Sequence, residues 1–390
     1  MKLLGTPLRL TAYGCESVTN RQFVGTDLEH LDLLYLPPAV SLLIDEPPIA
    51  SREFLEDDNR GAVSPEPVAE LDGREFYLSI KGVGSAIDPY SSKPLDNRYA
   101  AELVSDPAIR ARFERPTVEG SERLITGELW LRGSPYGGQG LENATAALGV
   151  SERADLTSIG GFLIAPVVKI CYFPAALEER LRQVYWYRRY PGRFVQELRL
   201  VPSNIRVYFH ARNTIGNDIR HLFDLFGVTT NARALRFEVN FLRSTVPMLT
   251  LYARTLTRGR VPGTYRGLDF QDVWLDKDAV VAPDGAVYFV DLEGIEEVPL
   301  DSGAAREKVE DQVYRSLYEF MFAYEQIETE RARRFGALGS RRGHFGDILR
   351  EALREDPFVR LEERTHGLEM LVRNKSQEES LYFRFPAVDW

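Results

Sequence analysis

Alternation of apolar and polar positions is clearest in "REFYLSIK", residues 74–81, where Phe76, Leu78 and Ile80 fall on one side and Tyr77, Ser79 and Lys81 on the other. That two-residue period predicts a strand with one face toward a core. Strand patterns also run through "AVSLLID" before an "EPP" turn, through "GGFLIAPVVKICYFP" and through "RFVQELRLVPSNIRVYFHA". "LENATAALGV" reads as a helix closed by Gly149, because glycine accepts the left-handed backbone that ends helices. "NRYAAELV" is a shorter helical pattern, and residues 45–72 are acidic and proline-rich, the composition of an exposed connection.

After Arg212 the period changes. "IGNDIRHLFDLFG", "NARALRFEVNFLRSTVPMLTLYARTL" and "AREKVEDQVYRSLYEFMFAYEQIETERARRF" carry helical spacing. The last of them aligns Val313, Leu317, Phe320, Met321 and Tyr324 as a core-facing stripe. "AVYFVDLEG" stands alone as a strand in this half. A sheet-rich lobe over 1–207 and a helical lobe over 208–390 follow, an α+β protein without internal repeats.

At 390 residues, 44% hydrophobic and 27% charged, the chain can bury a full core and exceeds the usual single-domain size. A net charge of -10 argues against a nucleic-acid or acidic-membrane partner, since those surfaces demand clustered positive charge. Cys15 and Cys171 are too few for a disulfide framework or a cysteine zinc site, which suits a reducing cytoplasm. No uncharged run approaches the roughly 18 residues that cross a bilayer.

Transfer from a nucleoside triphosphate needs donors around the phosphates, a metal to neutralise charge, and carboxylates that hold it and orient a nucleophile. Lys81, at a strand end and followed by Gly82 and Gly84, is placed to reach phosphate oxygens, and Glu142 at the start of a helix could hold it through an ion pair. The densest signal is "GLDFQDVWLDKDAVVAPDGAVYFVDLEG", residues 267–294. Asp269, Asp272, Asp276, Asp278 and Asp284 precede a hydrophobic strand that ends in Asp291. A carboxylate just past a buried strand is costly unless it is paired, and a divalent cation is one such partner. The same segment also reads as a hairpin, with "PDG" as its turn, that needs no function.

In protein kinases a base aspartate, a metal-binding asparagine five residues later and a metal-binding aspartate about thirteen beyond that form the catalytic machinery. Here Asp278 lies thirteen residues before Asp291, and Asp272 six before Asp278. The chain resembles the selenoprotein O family, kinase-like proteins that transfer AMP to protein hydroxyls, in four places that keep the family's order. "FYLSIKGVG" followed by "DPYS" is similar to its strand and phosphate loop, and "LENATAALGV" to its glutamate-bearing helix. "RLVPSNIRV", with Arg199 and Arg206 seven apart, is the most specific match, and "YFVDLEG" is similar to its metal-binding turn.

The resemblance covers residues 74–295 and implies a protein-kinase-like two-lobed fold. It implies that Lys81 contacts phosphate, that Glu142 pairs with it, that Arg199 and Arg206 hold the phosphates of an inverted nucleotide, and that Asp291 binds metal. ATP with Mg²⁺ or Mn²⁺ would be the cofactors, and a protein Ser, Thr or Tyr hydroxyl the acceptor. In that scheme Asp272 is the base, with Asp276 as its substitute, and Asp278 joins Asp291 on the metal. The glycines Gly82 and Gly84 let backbone approach phosphate.

The chain departs from the family in several respects. "FQDVWLDKDAV" replaces a catalytic loop that carries asparagine beside aspartate, so Asp278 substitutes a charged ligand for a neutral one. The glycine loop lacks its arginine, and the interval from lysine to glutamate is longer than the family's. Asp272, Asp276, Asp278 and Asp291 gathered without a cation would repel by roughly 4 kcal/mol per close pair at an effective dielectric of about 20. That favours a metal-dependent transferase. Phosphotransfer to a protein or small molecule, and a nucleotide-binding pseudokinase acting as an interaction module, are the alternatives. The five histidines are scattered without metal-ligand spacing, "GGQG" lacks the Lys-Ser/Thr of a phosphate loop, and "YWYRRY" reads as a structural face before a base-stacking one.

Overall fold

The computed structural model describes residues 2–3, 15–31, 34–35, 55–56, 61–64, 66–82, 139–159, 162–182, 192–203, 205, 219–258, 260–262, 279–292, 297–299, 323–324, 326–336, 350, 354, 359–365, 367–373 and 379–386. The expected strand "AVSLLID", the helix "NRYAAELV", and Val313, Leu317, Phe320 and Met321 lie outside them. The protein is a mixed α+β chain that divides into two compact units. One comprises Met1–Thr157 with Ala165–Asn204, the other Ser158–Ile164 with Ile205–Trp390.

The first unit is a curled antiparallel half-barrel. Its strands are β1 (Lys2–Leu3), β2 (Ser17–Thr19), β3 (Leu55–Glu56), β4 (Gly61–Val63), β5 (Ala69–Leu71), β6 (Arg74–Lys81), β7 (Gln139–Gly140), β10 (Val167–Tyr172) and β11 (Phe194–Val201). They run in the order β1-β5-β6-β11-β10-β2, with β4 also on β6, β3 on β4, and β7 on β11. β8 (Ser158–Ile159) and β9 (Phe162–Leu163) belong to the second unit.

The alternation read in residues 74–81 is present. Phe76, Leu78 and Ile80 are fully buried in β6. The central strand is β11, and every one of its eight residues is buried. Gln196 holds residue 35 on one face, donating from Nε2 to the Tyr35 carbonyl and accepting from the Tyr35 amide at 2.7 Å. On that same face, by register with Leu198, the Lys169 ammonium donates to the Glu29 carbonyl.

Helix α1 (Leu141–Arg153) packs on β10 and β11 through Ala144, Ala147, Leu148 and Val150. It does not stop at Gly149 as the sequence suggests, but runs one further turn to Arg153. Buried Val150 and Ser151 outweigh the roughly 1 kcal/mol that an interior glycine costs. Ser151 accepts from the Val167 amide at 3.0 Å, and buried Asn20 donates to the Ser151 hydroxyl at 3.0 Å and the Val167 carbonyl at 2.7 Å. A shorter helix, α2 (Ala175–Arg182), carries Glu178, whose carboxylate accepts from the Phe194 amide at 3.2 Å and so pins the start of β11.

In the second unit α3 (Ile219–Leu225) leads into α4 (Asn231–Arg258), a helix of 28 residues where the helical spacing predicts one. Phe223 of α3 meets Phe237 of α4 edge to face, with ring centroids 5.6 Å apart. β13 (Ala279–Val281) and β14 (Val287–Phe289) form the hairpin read from "AVVAPDGAVYFVD", with Asp284 and Gly285 in its turn. That hairpin is fastened to α4 at three points. The Asn240 amide donates to the Asp284 carbonyl at 2.9 Å, and the Val287 amide donates to the Ser244 hydroxyl at 2.8 Å. Gly285, at φ +93°, lies so close that a β-carbon there would sit 2.1 Å from the Phe237 carbonyl oxygen. Phe162 of β9 packs edge-on against Phe289, and Ile164 pairs with Phe289 in parallel. β12 (Arg260–Pro262) pairs with β15 (Glu297–Pro299), and β16 (Val359–Arg364), β17 (Gly367–Arg373) and β18 (Glu379–Pro386) make a separate antiparallel sheet.

Helical residues 323–324 and 326–335 are joined to α4 and α3 by ionic links. Fully buried Glu238 accepts from the Tyr324 hydroxyl at 2.8 Å and from Arg331 Nε at 2.6 Å. Burial, and then the Glu238 charge, push the Tyr324 phenol far above its ordinary range, so it remains a donor. Glu330 accepts from Arg333 at 2.6 and 2.7 Å and from Arg334, while Arg334 also reaches Asp224 at 2.7 Å. Burial pushes the Glu330 carboxyl up, but the hydrogen bonds from Arg333 and Arg334 outweigh it and hold it below 4.5. Among the described residues no helix is long and apolar enough to cross a membrane.

Two expectations follow. Gly285→Ala combines a positive φ with a backbone collision and should destabilise the second unit by roughly 2–4 kcal/mol, whereas Gly227→Ala, at φ +59° with nothing within 4 Å, should cost about 1 kcal/mol. Urea denaturation read by circular dichroism compares them, and equal losses would remove the close approach as the cause. Because the Glu330 carboxyl is depressed in the folded state, its contribution to stability is present above pH 4.5 and is lost as pH falls through the folded value. Glu330→Gln should therefore flatten the acid limb of a stability-against-pH curve, and an unchanged limb would contradict the assignment.

Candidate functional site

The residues that sequence reasoning gathers around a nucleotide fall into two groups, one in each unit. In the first unit Lys81 closes β6 and Arg199 lies in β11, each only 2% exposed. The β6–β11 register pairs Lys81 with Glu197 and Ser79 with Arg199. Alternation along two antiparallel strands then places Lys81, Ser79, Glu197 and Arg199 on one face of the sheet. Glu197 is fully buried. Its Oε1 lies 4.0 Å from Arg199 Nη1, and its Oε2 accepts from Gln139 Nε2 at 3.3 Å. Arg199 Nε donates to the Ser79 hydroxyl at 3.4 Å.

This assembly sits where two strands part. β6 pairs with β11 as far as Lys81, and beyond it β7 takes over, with Gln139 opposite Val195 and Gly140 opposite Phe194. Gly82 makes the exit possible. Its φ is +101°, and a β-carbon there would lie 2.8 Å from both the Gln139 β-carbon and the Val195 carbonyl oxygen. The glycine expected for phosphate approach is thus required first by the crossing of one backbone over another.

Burying a carboxylate costs several kcal/mol unless cations and donors surround it. Glu197 has a side-chain amide donating to Oε2 and an arginine 4.0 Å from Oε1, and Lys81 is its register partner. Glu142, expected to pair with Lys81, stands exposed in the first turn of α1, and the β6–β11 register sets Glu197 opposite Lys81. Sequence reasoning passed over Glu197, Gln139 and Ser79. The signal was present in "FVQELRLV", where Glu197 and Arg199 two apart on a strand must share a face.

In the second unit Asp291 lies two residues past the end of β14, after buried Val290, and is half-buried. The α4-docked hairpin fixes the backbone that leads to it. Asp284 is occupied within the turn, where its carboxylate accepts from the Ala286 amide at 3.2 Å. Gly84, Arg206, Asp269, Asp272, Asp276, Asp278 and the "YWYRRY" run lie outside the described residues. Among the described residues no three or more of His, Cys, Asp and Glu gather in a way that could hold a metal ion.

Gly82→Ala should force β6 and β7 apart and lower stability by roughly 2–4 kcal/mol, whereas Gly73→Ala, at a positive-φ turn with no neighbour within 4 Å, should cost about 1 kcal/mol. Hydrogen exchange of the β11 amides reads this out. Protection equal in Gly82→Ala and Gly73→Ala would show that the crossing does not depend on the missing side chain.

No family model, no curated protein and no solved structure matches this chain.

Proposed function

We propose that this protein is an ATP- and metal-dependent transferase of two-lobed, kinase-like architecture, which moves AMP from ATP onto a protein Ser, Thr or Tyr hydroxyl. The observation that carries the reading is the buried Lys81–Glu197–Arg199 assembly at the glycine-permitted parting of β6 and β7. An ammonium and a guanidinium on one face, beside backbone that turns with positive φ, have the chemistry of a phosphate cradle. The second unit supports it separately. A long helix carries a hairpin that ends in a carboxylate, the order in which kinase-like chains place a metal-binding aspartate.

In this reading Lys81 and Arg199, with Arg206, hold the phosphate oxyanions and orient the α-phosphorus. Mg²⁺ or Mn²⁺ bound by Asp291 and Asp278 would supply neutralisation of phosphate charge. Asp272, with Asp276 as its substitute, orients the acceptor hydroxyl. The hydroxyl oxygen bonds to the α-phosphorus, the bond from that phosphorus to the bridging oxygen breaks, and pyrophosphate leaves. The hydroxyl proton passes to the aspartate. Base positioning of this kind contributes about 10² to 10⁴ in rate.

Incubation with α-labelled and with γ-labelled ATP, in Mg²⁺ or Mn²⁺, followed by mass spectrometry of the protein, tests the reading. Label retained from the α position, as a gain of AMP, is expected; label from the γ position would make the reaction phosphotransfer. Lys81→Met should weaken ATP binding by about 10- to 100-fold, the worth of one charge-assisted hydrogen bond. Asp291→Ala should abolish labelling while leaving the melting temperature near the parent's. Full activity in the Asp291→Ala protein would remove that residue from the site.

A further inference from the structure

The last turn of α1 is closed by a segment remote in sequence. Gln22 Nε2 donates to the Ala154 carbonyl at 2.5 Å and reaches those of Ser151 and Glu152 at 3.4 Å. Its neighbours act at the same turn. The Arg21 amide donates to the Glu152 carboxylate at 3.1 Å, while Asn20 donates to the Ser151 hydroxyl at 3.0 Å and accepts from the Gln22 amide at 2.9 Å. At its other end α1 continues directly from β7, whose Gln139 donates to Glu197 on the face that carries Lys81 and Arg199. We propose that Gln22 is a positioning residue for that face, acting through α1, which carries the seating of its last turn to β7; this rests on the nucleotide reading above.

The chemistry of Gln22 suits the role. The last carbonyls of a helix have no partner within it, and an amide brought from another segment can donate to them. Gln22 Oε1 is buried and, among the described residues, has no hydrogen-bond partner, so the side chain is held by what its nitrogen donates. α1 needs such a fixing point. Two of the four residues by which it packs on β10 and β11, Ala144 and Ala147, are too short to interlock with the strands beneath, so that contact tolerates a small slide. A helix of 13 residues is about 20 Å long and stiff along its axis, so a displacement at one end appears at the other. There the Leu141 amide donates to the Arg193 carbonyl at 3.0 Å, and Gly140 and Gln139 pair with Phe194 and Val195 of β11. The backbone itself thus joins the far end of α1 to the strand that bears Arg199.

The test compares the full-length parent with three variants by amide hydrogen exchange and by calorimetry of ATP with Mg²⁺. Gln22→Met removes the donor at nearly constant volume, and Gln22→Lys returns a donor to the helix-end carbonyls without the unpartnered oxygen. Gly73→Ala, at a turn with nothing within 4 Å, controls for general loss of stability. In Gln22→Met, exchange at residues 139–145 should quicken by about two- to tenfold, the fold-change of one neutral hydrogen bond, and ATP affinity should fall by a factor in the same range. Gln22→Lys should restore both, and Gly73→Ala should move neither. Quickened exchange confined to residues 150–154, or equal in Gln22→Met and Gly73→Ala, overturns the proposal, as does a Gln22→Lys protein that behaves like Gln22→Met. Exchange transmitted to residues 139–145 in a protein whose parent binds no ATP upholds the role of Gln22 and removes the nucleotide reading. Should Gln22→Met not fold, Gln22→Ala, which adds no bulk, takes its place under the same outcomes.

Discussion

A carboxylate with no access to water, in the middle of a sheet, constrains everything near it. Glu197 lies in β11, the strand that both β6 and β10 flank and whose residues are all buried. A charge there is tolerable only where cations and donors converge, and the sheet supplies them from three strands: Lys81 from β6, Gln139 from β7 and Arg199 from β11 itself. Side-chain period and strand register together decide that they share a face. A slip of one residue in the β6–β11 pairing would send Lys81 to the opposite face, toward the Tyr35 segment, and leave Glu197 without its lysine. The ionic assembly therefore specifies register as well as being its product.

The second unit meets its constraint differently. Its long helix α4 sets several polar side chains against its neighbours. Asn240 and Ser244 fasten the β13–β14 hairpin, while Glu238 receives Tyr324 and Arg331. Asn240 and Ser244 lie four apart, so they form one stripe of the helix. The close approach that this stripe requires is possible because residue 285 is glycine. The consequence is a hairpin whose last strand, and the Asp291 that follows it, are held by helix geometry rather than by a loop.

Local periodicity was legible for the longer elements. Residues 45–72, expected as an exposed connection, instead carry the short strands β3, β4 and β5 with Val63, Ala69 and Leu71 buried, and the half expected to hold one strand also carries β12, β13 and β15–β18. Strands of two or three residues and late pairings leave little pattern. The 74–81 alternation, the strand at 194–201, the helix from 231 and the "PDG" hairpin all appear, because one face or one stripe must be apolar for each to pack. What depended on pairing between distant segments was not legible. Nothing in the sequence states that residue 197 lies opposite residue 81 in the sheet. Gly149 misled for a related reason. Its intrinsic preference is to end a helix, and the packing of Val150 and Ser151, invisible locally, carries the helix on to Arg153.

The same distinction explains why a glycine and a carboxylate, both unremarkable in one dimension, define the first unit's polar face. Gly82 is needed because β7 enters where β6 leaves, and the backbone of residue 82 has Gln139 and Val195 within 3 Å of where a side chain would begin. Glu197 is needed because the same parting brings a lysine, an arginine and an amide to one buried point. Under the proposed nucleotide reading, this is the face on which Lys81 and Arg199 would meet phosphate. The parting of the strands around β11, and neither residue alone, sets the requirement that Gly82 and Glu197 each meet.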